Sequence, residues 1–114
     1  MKKNTFFIVT ALLLLLGACQ KADHAAFGAY DCKMKFIKLN NLQPYTGAFN
    51  GCVYYYSLYQ FKGQQYFLLD NPCADMVSIP VDCDGVPLTT SYDDPYLSVF
   101  YREADFVQIV GIVP

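Results

Sequence analysis

The residues of this 114-residue chain with the most chemistry in them are five cysteines, one histidine and ten acidic side chains, and their spacing decides which chemistry is open. Cys32, Cys52, Cys73 and Cys83 form an even set, and no two stand as C-x-x-C. That arithmetic points to two disulfides and not to zinc, since the only imidazole, His24, lies far toward the N-terminus. A serine or cysteine nucleophile needs a base poised near neutral pH, and His24 falls in a stretch with the composition of a spacer. Two carboxylate pairs remain, Asp82 with Asp84 and Asp93 with Asp94. A hydrolase or a calcium-dependent module would have to use them. Yet they sit beside Gly85 and Pro95, where aspartate ordinarily bonds its own backbone, and Asp82-Cys83-Asp84-Gly85 lacks the later ligands of a calcium loop. No catalytic residue, metal or cofactor is expected, and the chain reads as a non-enzyme.

Cys19 stands apart from the other four. Lys2-Lys3 precede an apolar run from Phe6 to Leu16, too short to span a bilayer and ending in small residues, which is the pattern of a secretory signal. Leu16-Gly17-Ala18-Cys19 resembles the lipobox of bacterial lipoproteins: leucine, two small residues, then a cysteine that is lipidated on sulfur and becomes the new N-terminus. The resemblance implies a signal peptide over residues 1–18, acyl chains such as palmitate on Cys19, and a membrane as partner through that N-terminal lipid. At about 0.8 kcal/mol per buried methylene, three acyl chains hold a protein essentially permanently. Gln20, in place of aspartate, resembles the outer-membrane default of enterobacterial sorting. The expected address is the cell envelope, lipid-anchored, at the outer membrane.

Residues 19–29 are small and polar and are expected to form a flexible tether, leaving residues 30–114 as one globular domain. A domain of this size is at the lower end of what buries a good core unaided, so staples matter. Acidic side chains outnumber basic ones, 10 to 8, and no basic run tracks a phosphate backbone, which argues against nucleic acid. From Tyr30 to Asn41 two periods compete. Cys32, Phe36 and Leu39 share a helical face, whereas Cys32, Met34 and Phe36 alternate with lysines as in a strand. Asp31 as a cap and Asn40-Asn41 as a stop favour a short helix.

The aromatic runs Cys52 to Phe61 and Gln64 to Asp70 flank Lys62-Gly63 and predict a β-hairpin. With a two-residue loop, opposed residue numbers sum to 125, so Tyr56 faces Leu69, Leu58 faces Phe67 and Cys52 faces Cys73. Tyr54, Tyr56, Leu58, Phe67 and Leu69 then form the expected core face, and Tyr55, Ser57, Tyr59, Phe61, Tyr66 and Leu68 the other. A bulged three-residue loop would shift that register by one. The matching disulfides are Cys52 with Cys73 and Cys32 with Cys83, with Cys73 to Cys83 as the rival. Met76 to Ile79 is an edge strand at best, because Pro80 interrupts it. Residues 89–95 read as loop. Tyr96 to Tyr101 and Phe106 to Val113 read as a second hairpin, whose last strand, apolar on both faces, belongs inside a sheet or under a helix. The expected fold is α+β: a small antiparallel sheet built from two hairpins, one short helix and disulfide staples.

Tyr59-Gln60-Phe61-Lys62-Gly63-Gln64-Gln65-Tyr66-Phe67, then Cys73-Ala74-Asp75 and Asp84-Gly85, resembles a group of uncharacterised small bacterial lipoproteins with an aromatic hairpin after a cysteine-bearing helix. Alanine at position 74 departs from that group's second cysteine, and its glycine-rich, cysteine-containing tail is missing. The resemblance covers roughly residues 31–86 and implies the helix and the hairpin, but no activity. Tyr30-Asp31-Cys32 and Lys62-Gly63-Gln64-Gln65-Tyr66 resemble membrane-bound lysozyme inhibitors, without the serine of their inhibitory segment, and imply an inhibitor of a lytic enzyme as an alternative function. The principal expectation is a binding or structural module of the envelope, with Tyr55, Tyr59 and Tyr66 as the candidate surface for a protein or glycan partner. Tyrosine suits that role because it offers a large rigid ring with a polar tip.

Overall fold

A central strand buried on both faces organises the domain. In a computed structural model of the chain, residues 31–114 are described. The signal-like segment, Cys19, His24 and the 19–29 spacer lie outside the described residues. Residues 32–114 form one compact unit. Helix α1 covers residues 31–39, strands β1 and β2 run Tyr55–Phe61 and Gln64–Asp70, helix α2 runs Pro95–Glu103, and strand β3 runs Asp105–Ile112. The sheet is antiparallel, in the order β2-β1-β3. The α+β class with an antiparallel sheet and two disulfides is as expected.

The turn at Lys62-Gly63 explains the hairpin register. Both residues take positive φ, +48° and +76°, the combination of a type I′ turn whose twist suits the flanking strands. Tyr55 therefore faces Asp70, Leu58 faces Phe67 and Tyr59 faces Tyr66. Just beyond the paired residues the same register brings Cys52 to Cys73, bonded with Cα atoms 5.4 Å apart. Cys83 is bonded to Cys32, Cα atoms 5.3 Å apart, which fastens α1 to the turn after Val81. The sequence separations of 21 and 51 correspond to about 3 and 4 kcal/mol of loop-closure entropy removed from the unfolded chain.

Asp31 is already helical, so it is not the cap of α1. The end of that helix is where Asn40-Asn41 predicts it. Asn41 adopts φ +51°, its N–H bonds the Lys38 carbonyl (3.2 Å), and the Leu42 N–H bonds the Ile37 carbonyl (3.0 Å). This is a Schellman ending, with Asn41 in the place glycine usually takes. It also turns Leu42 back onto the core beside Ile37.

Each face of the hairpin carries its own core. On one face Phe36 of α1 stacks on Phe67, ring centres 3.9 Å apart, meets the edge of Tyr56 and packs with Leu58 and Leu42. On the other face Phe100 of α2 packs against Phe61 and Leu68, with Tyr59 and Tyr66 around it. The expected single core face is thus half of the arrangement.

The second hairpin is not formed, because residues 95–103 are helical. Asp94, in extended conformation, accepts from the Tyr96 N–H (2.9 Å), Pro95 supplies the first helical residue, and Leu97 and Phe100 fall three apart on one buried face. Aspartate-proline before an aromatic run is a helix start here. Among the described residues the fold accordingly has two helices and one hairpin. Nor is β3 an interior strand among the described residues: β1 is the one strand it pairs with, through two register shifts, and its first four residues are exposed. Its outer side meets Gln43 at Ile112, through bonds of 2.9 and 2.8 Å. Residues 76–79 form no strand. Val81 instead bridges Phe67, beside buried Pro80. Tyr101 pins this segment to α2, since its hydroxyl donates to the Ser78 carbonyl (2.7 Å) and accepts from the Ser78 N–H (2.9 Å).

Two substitutions test this packing. Gly111 has no room for a side chain, because a Cβ there would lie 2.7 Å from the Leu42 Cβ and 3.0 Å from the Gln43 carbonyl oxygen. Gly111→Ala is expected to destabilise by about 1–3 kcal/mol in denaturant unfolding. Tyr101→Phe strands a buried peptide pair at Ser78 and is expected to cost about 1–3 kcal/mol, and an unchanged midpoint would refute the pinning role. Peptide mapping without reduction is expected to recover Cys52 linked to Cys73 and Cys32 linked to Cys83, and four free thiols would overturn both staples.

Candidate binding surface

The three tyrosines singled out by the sequence do not form an open platform. Tyr59 is half-buried, with its ring edge-on to Phe100 and Phe106, both centres 5.7 Å away. Tyr66 is half-buried against Phe61 and Phe100, and its hydroxyl donates to Gln64 Oε1 (3.0 Å). Tyr55 lies farther along the strand beside Phe49, 4.5 Å between ring centres, with Tyr45 beyond it. All three share a face, as the register requires, but α2 and the 45–49 segment lean on it. The cause for Tyr59 and Tyr66 lies in α2: the residues read as a strand supply Phe100, and Phe100 covers both rings.

The acidic turns are occupied structurally. Asp82 accepts from the N–H groups of Asp84 and Val86, both 2.9 Å away, and so builds its own turn. The Asp84 carboxylate pairs with the Lys35 ammonium of α1, and Asp94 caps α2. Among the described residues no three His, Cys, Asp or Glu side chains gather closely enough to hold a metal ion. Lys62-Gly63-Gln64-Gln65-Tyr66 is the hairpin tip, with the Lys62 ammonium 5.3 Å from the Phe61 ring centre and 5.0 Å from that of Tyr96.

What the sequence missed lies on the opposite face of the sheet. The helical face of α1 was expected to bury Leu39, but the Schellman turn ends the helix there and leaves Leu39 62% exposed, with Ile37 packed inward in its stead. Tyr54, assigned to the core face, is 49% exposed. Beside Tyr54 opens a recess of about 240 Å³, lined by that ring with Leu42, Tyr56, Leu69 and Val113, and with Asn40 as its polar member. One signal was available: Tyr54 precedes the last cross-strand pair of the hairpin, so it can have only partial cover.

No family model matches the chain, and neither does any curated protein or solved structure. What the surface can do therefore rests on its own residues. The recess is mostly apolar, lined by two tyrosines, two leucines and a valine, and suits the burial of an apolar side chain more than proton transfer.

Burial shifts the tyrosines in one direction. The hydroxyls of Tyr55, Tyr56, Tyr59, Tyr66 and Tyr101 all titrate above the ordinary tyrosine range, chiefly because their partial burial penalises the phenolate. The Asp70 carboxylate adds to this for Tyr55 and Tyr59, whereas the bond to Ser78 partly offsets it for Tyr101. A raised phenol pKa means the unfolded chain loses its protons first as pH rises. The contribution is therefore intact below pH about 10 and is lost as pH climbs through the folded-state values. Ultraviolet titration of tyrosinate is expected to show a late-titrating group, with unfolding stability falling only above about pH 10. All tyrosines titrating together near 10 in the folded protein would contradict the packing.

Proposed function

We propose that this chain is a small lipid-anchored module of the bacterial cell envelope, at the outer membrane, that binds a protein partner and does not turn over a substrate. The observation that carries the binding half is the recess of about 240 Å³ lined by half-exposed Tyr54 with Leu42, Tyr56, Leu69 and Val113. A large aromatic beside a small apolar pocket is the composition from which interface anchors are built. Asn40, whose amide nitrogen donates to the Phe36 carbonyl (3.0 Å), is the polar member of the lining. The half-covered tyrosine face leaves less free ring for a glycan to stack on, so a protein side chain is the better occupant. The anchoring half rests on Leu16-Gly17-Ala18-Cys19 behind its apolar run, and the paired cysteines suit an oxidising compartment.

Both halves are open to direct measurement. Cys19→Ser is expected to move the protein from the membrane fraction to the soluble fraction, and a variant that stays membrane-bound and acylated would refute the anchor. For the surface, a photo-crosslinking residue at position 54 is expected to trap a discrete envelope partner, whereas one at exposed Tyr92 does not. Tyr54→Ala is then expected to cost that partner about 2 kcal/mol or more of affinity with little change in stability. Trapping at position 92 but not at 54 would overturn the assignment.

A further inference from the structure

Strand β3 presents an apolar edge to solvent. Phe106 is 57% and Val107 49% exposed, and Asp105 and Gln108 are exposed beside them. On its inner side the strand pairs with β1. On its outer side the described residues cover it only at Ile112, through Gln43. From Asp105 to Val110 the outward backbone groups therefore have no backbone partner among the described residues. The β2 edge differs, because Val81 exchanges two bonds with Phe67 there, at 2.7 and 3.0 Å.

Folded proteins usually blunt an open edge with lysine, proline, an inward-pointing charge or a bulge. Phe106-Val107-Gln108-Ile109-Val110 contains no lysine, proline or charge, Asp105 at one end is the only charged residue of the strand, and the two register shifts are the one such device it carries. Beside the same edge a recess of about 290 Å³ opens between β3 and the 42–45 segment, lined by Ile37, Leu42, Pro44, Tyr45, Ile109 and Val110. Backbone bonding capacity and an apolar socket thus occur together.

We propose that this edge pairs with the β3 edge of a second copy of the chain, antiparallel about a two-fold axis, extending the sheet to β2-β1-β3-β3-β1-β2. Such pairing is self-complementary, since each contact occurs twice. Centred between Val107 and Gln108, it sets Phe106 opposite the partner's Ile109. The two Asp105 carboxylates then stand about five residues apart along the strands, roughly 17 Å. That exceeds the screening length of about 8 Å at physiological salt, so the only charges on the edge do not oppose the contact. The register shifts facing β1 sharpen the twist of β3 and confine the pairing to a short segment.

Sedimentation equilibrium of the full chain in density-matched detergent tests this, at protein-to-detergent ratios low enough that copies do not share micelles by chance. A dimer is expected, with a dissociation constant raised at least tenfold by Val107→Lys. Val77→Lys, at a position 67% exposed and outside the sheet, is expected to leave it unchanged. Should Val107→Lys lower the thermal midpoint, Gln108→Lys on the same edge carries the same expectation. A chain monomeric at every concentration, or a dimer that neither edge lysine weakens, would overturn the proposal. The readout does not depend on acylation of Cys19, because association is measured equally for acylated protein and for the Cys19→Ser chain.

Discussion

The left-handed conformation shared by Lys62 and Gly63 constrains everything built on the hairpin. A two-residue loop leaves β1 and β2 one register, and a slip by a single residue would exchange the two faces of one strand against the other. Phe67 would then turn away from Phe36, and Leu68 away from Phe100. Cys52 and Cys73 would no longer meet. The turn therefore sets which helix finds which core.

Neither core is large. Phe36, Leu42, Leu58 and Phe67 make one, and Phe61, Leu68 and Phe100 the other, each completed by half-buried neighbours. A central strand with apolar side chains on both faces needs a cover on each, and the chain supplies one helix per face. The nine residues of α2 are too few to be stable in isolation. Each is fastened by something besides its packing: α1 by the Cys32 to Cys83 bond and the Lys35 to Asp84 pair, α2 by the Asp94 cap and the Tyr101 bonds to Ser78. In a chain this small such fastenings do work that a larger domain leaves to buried area.

The hairpin, its register and the Cys52 to Cys73 bond were legible because their signals are local: two aromatic runs, a lysine-glycine turn, and cysteines at matching distances. The stop of α1 at Asn40-Asn41 was legible for the same reason. The second helix was not. Tyr96-Leu97-Ser98-Val99-Phe100-Tyr101 is rich in β-formers, and tertiary contacts from Leu97 and Phe100, together with the cap at Asp94, overrode that propensity. That misreading carried into the candidate surface, because a strand at 96–101 left no Phe100 to lean on Tyr59 and Tyr66. The recess at Tyr54 was legible only in the thin cover its place beyond the last cross-strand pair implies. It depends on where α1 ends in space, and no period in one sequence reports that.

Lys62 is an uneconomical choice for its position, since asparagine or glycine would adopt its positive φ with less strain. What lysine adds is reach, placing its ammonium over the rings of Phe61 and, beyond the hairpin, of Tyr96 in the first turn of α2. A hairpin tip is ordinarily among the most mobile parts of a sheet. Here it is held to the start of a helix by a charge resting on two rings that also meet each other edge-on, 5.7 Å between centres, so loosening at either end is felt at the other, and the turn becomes a natural place to read the breathing of α2.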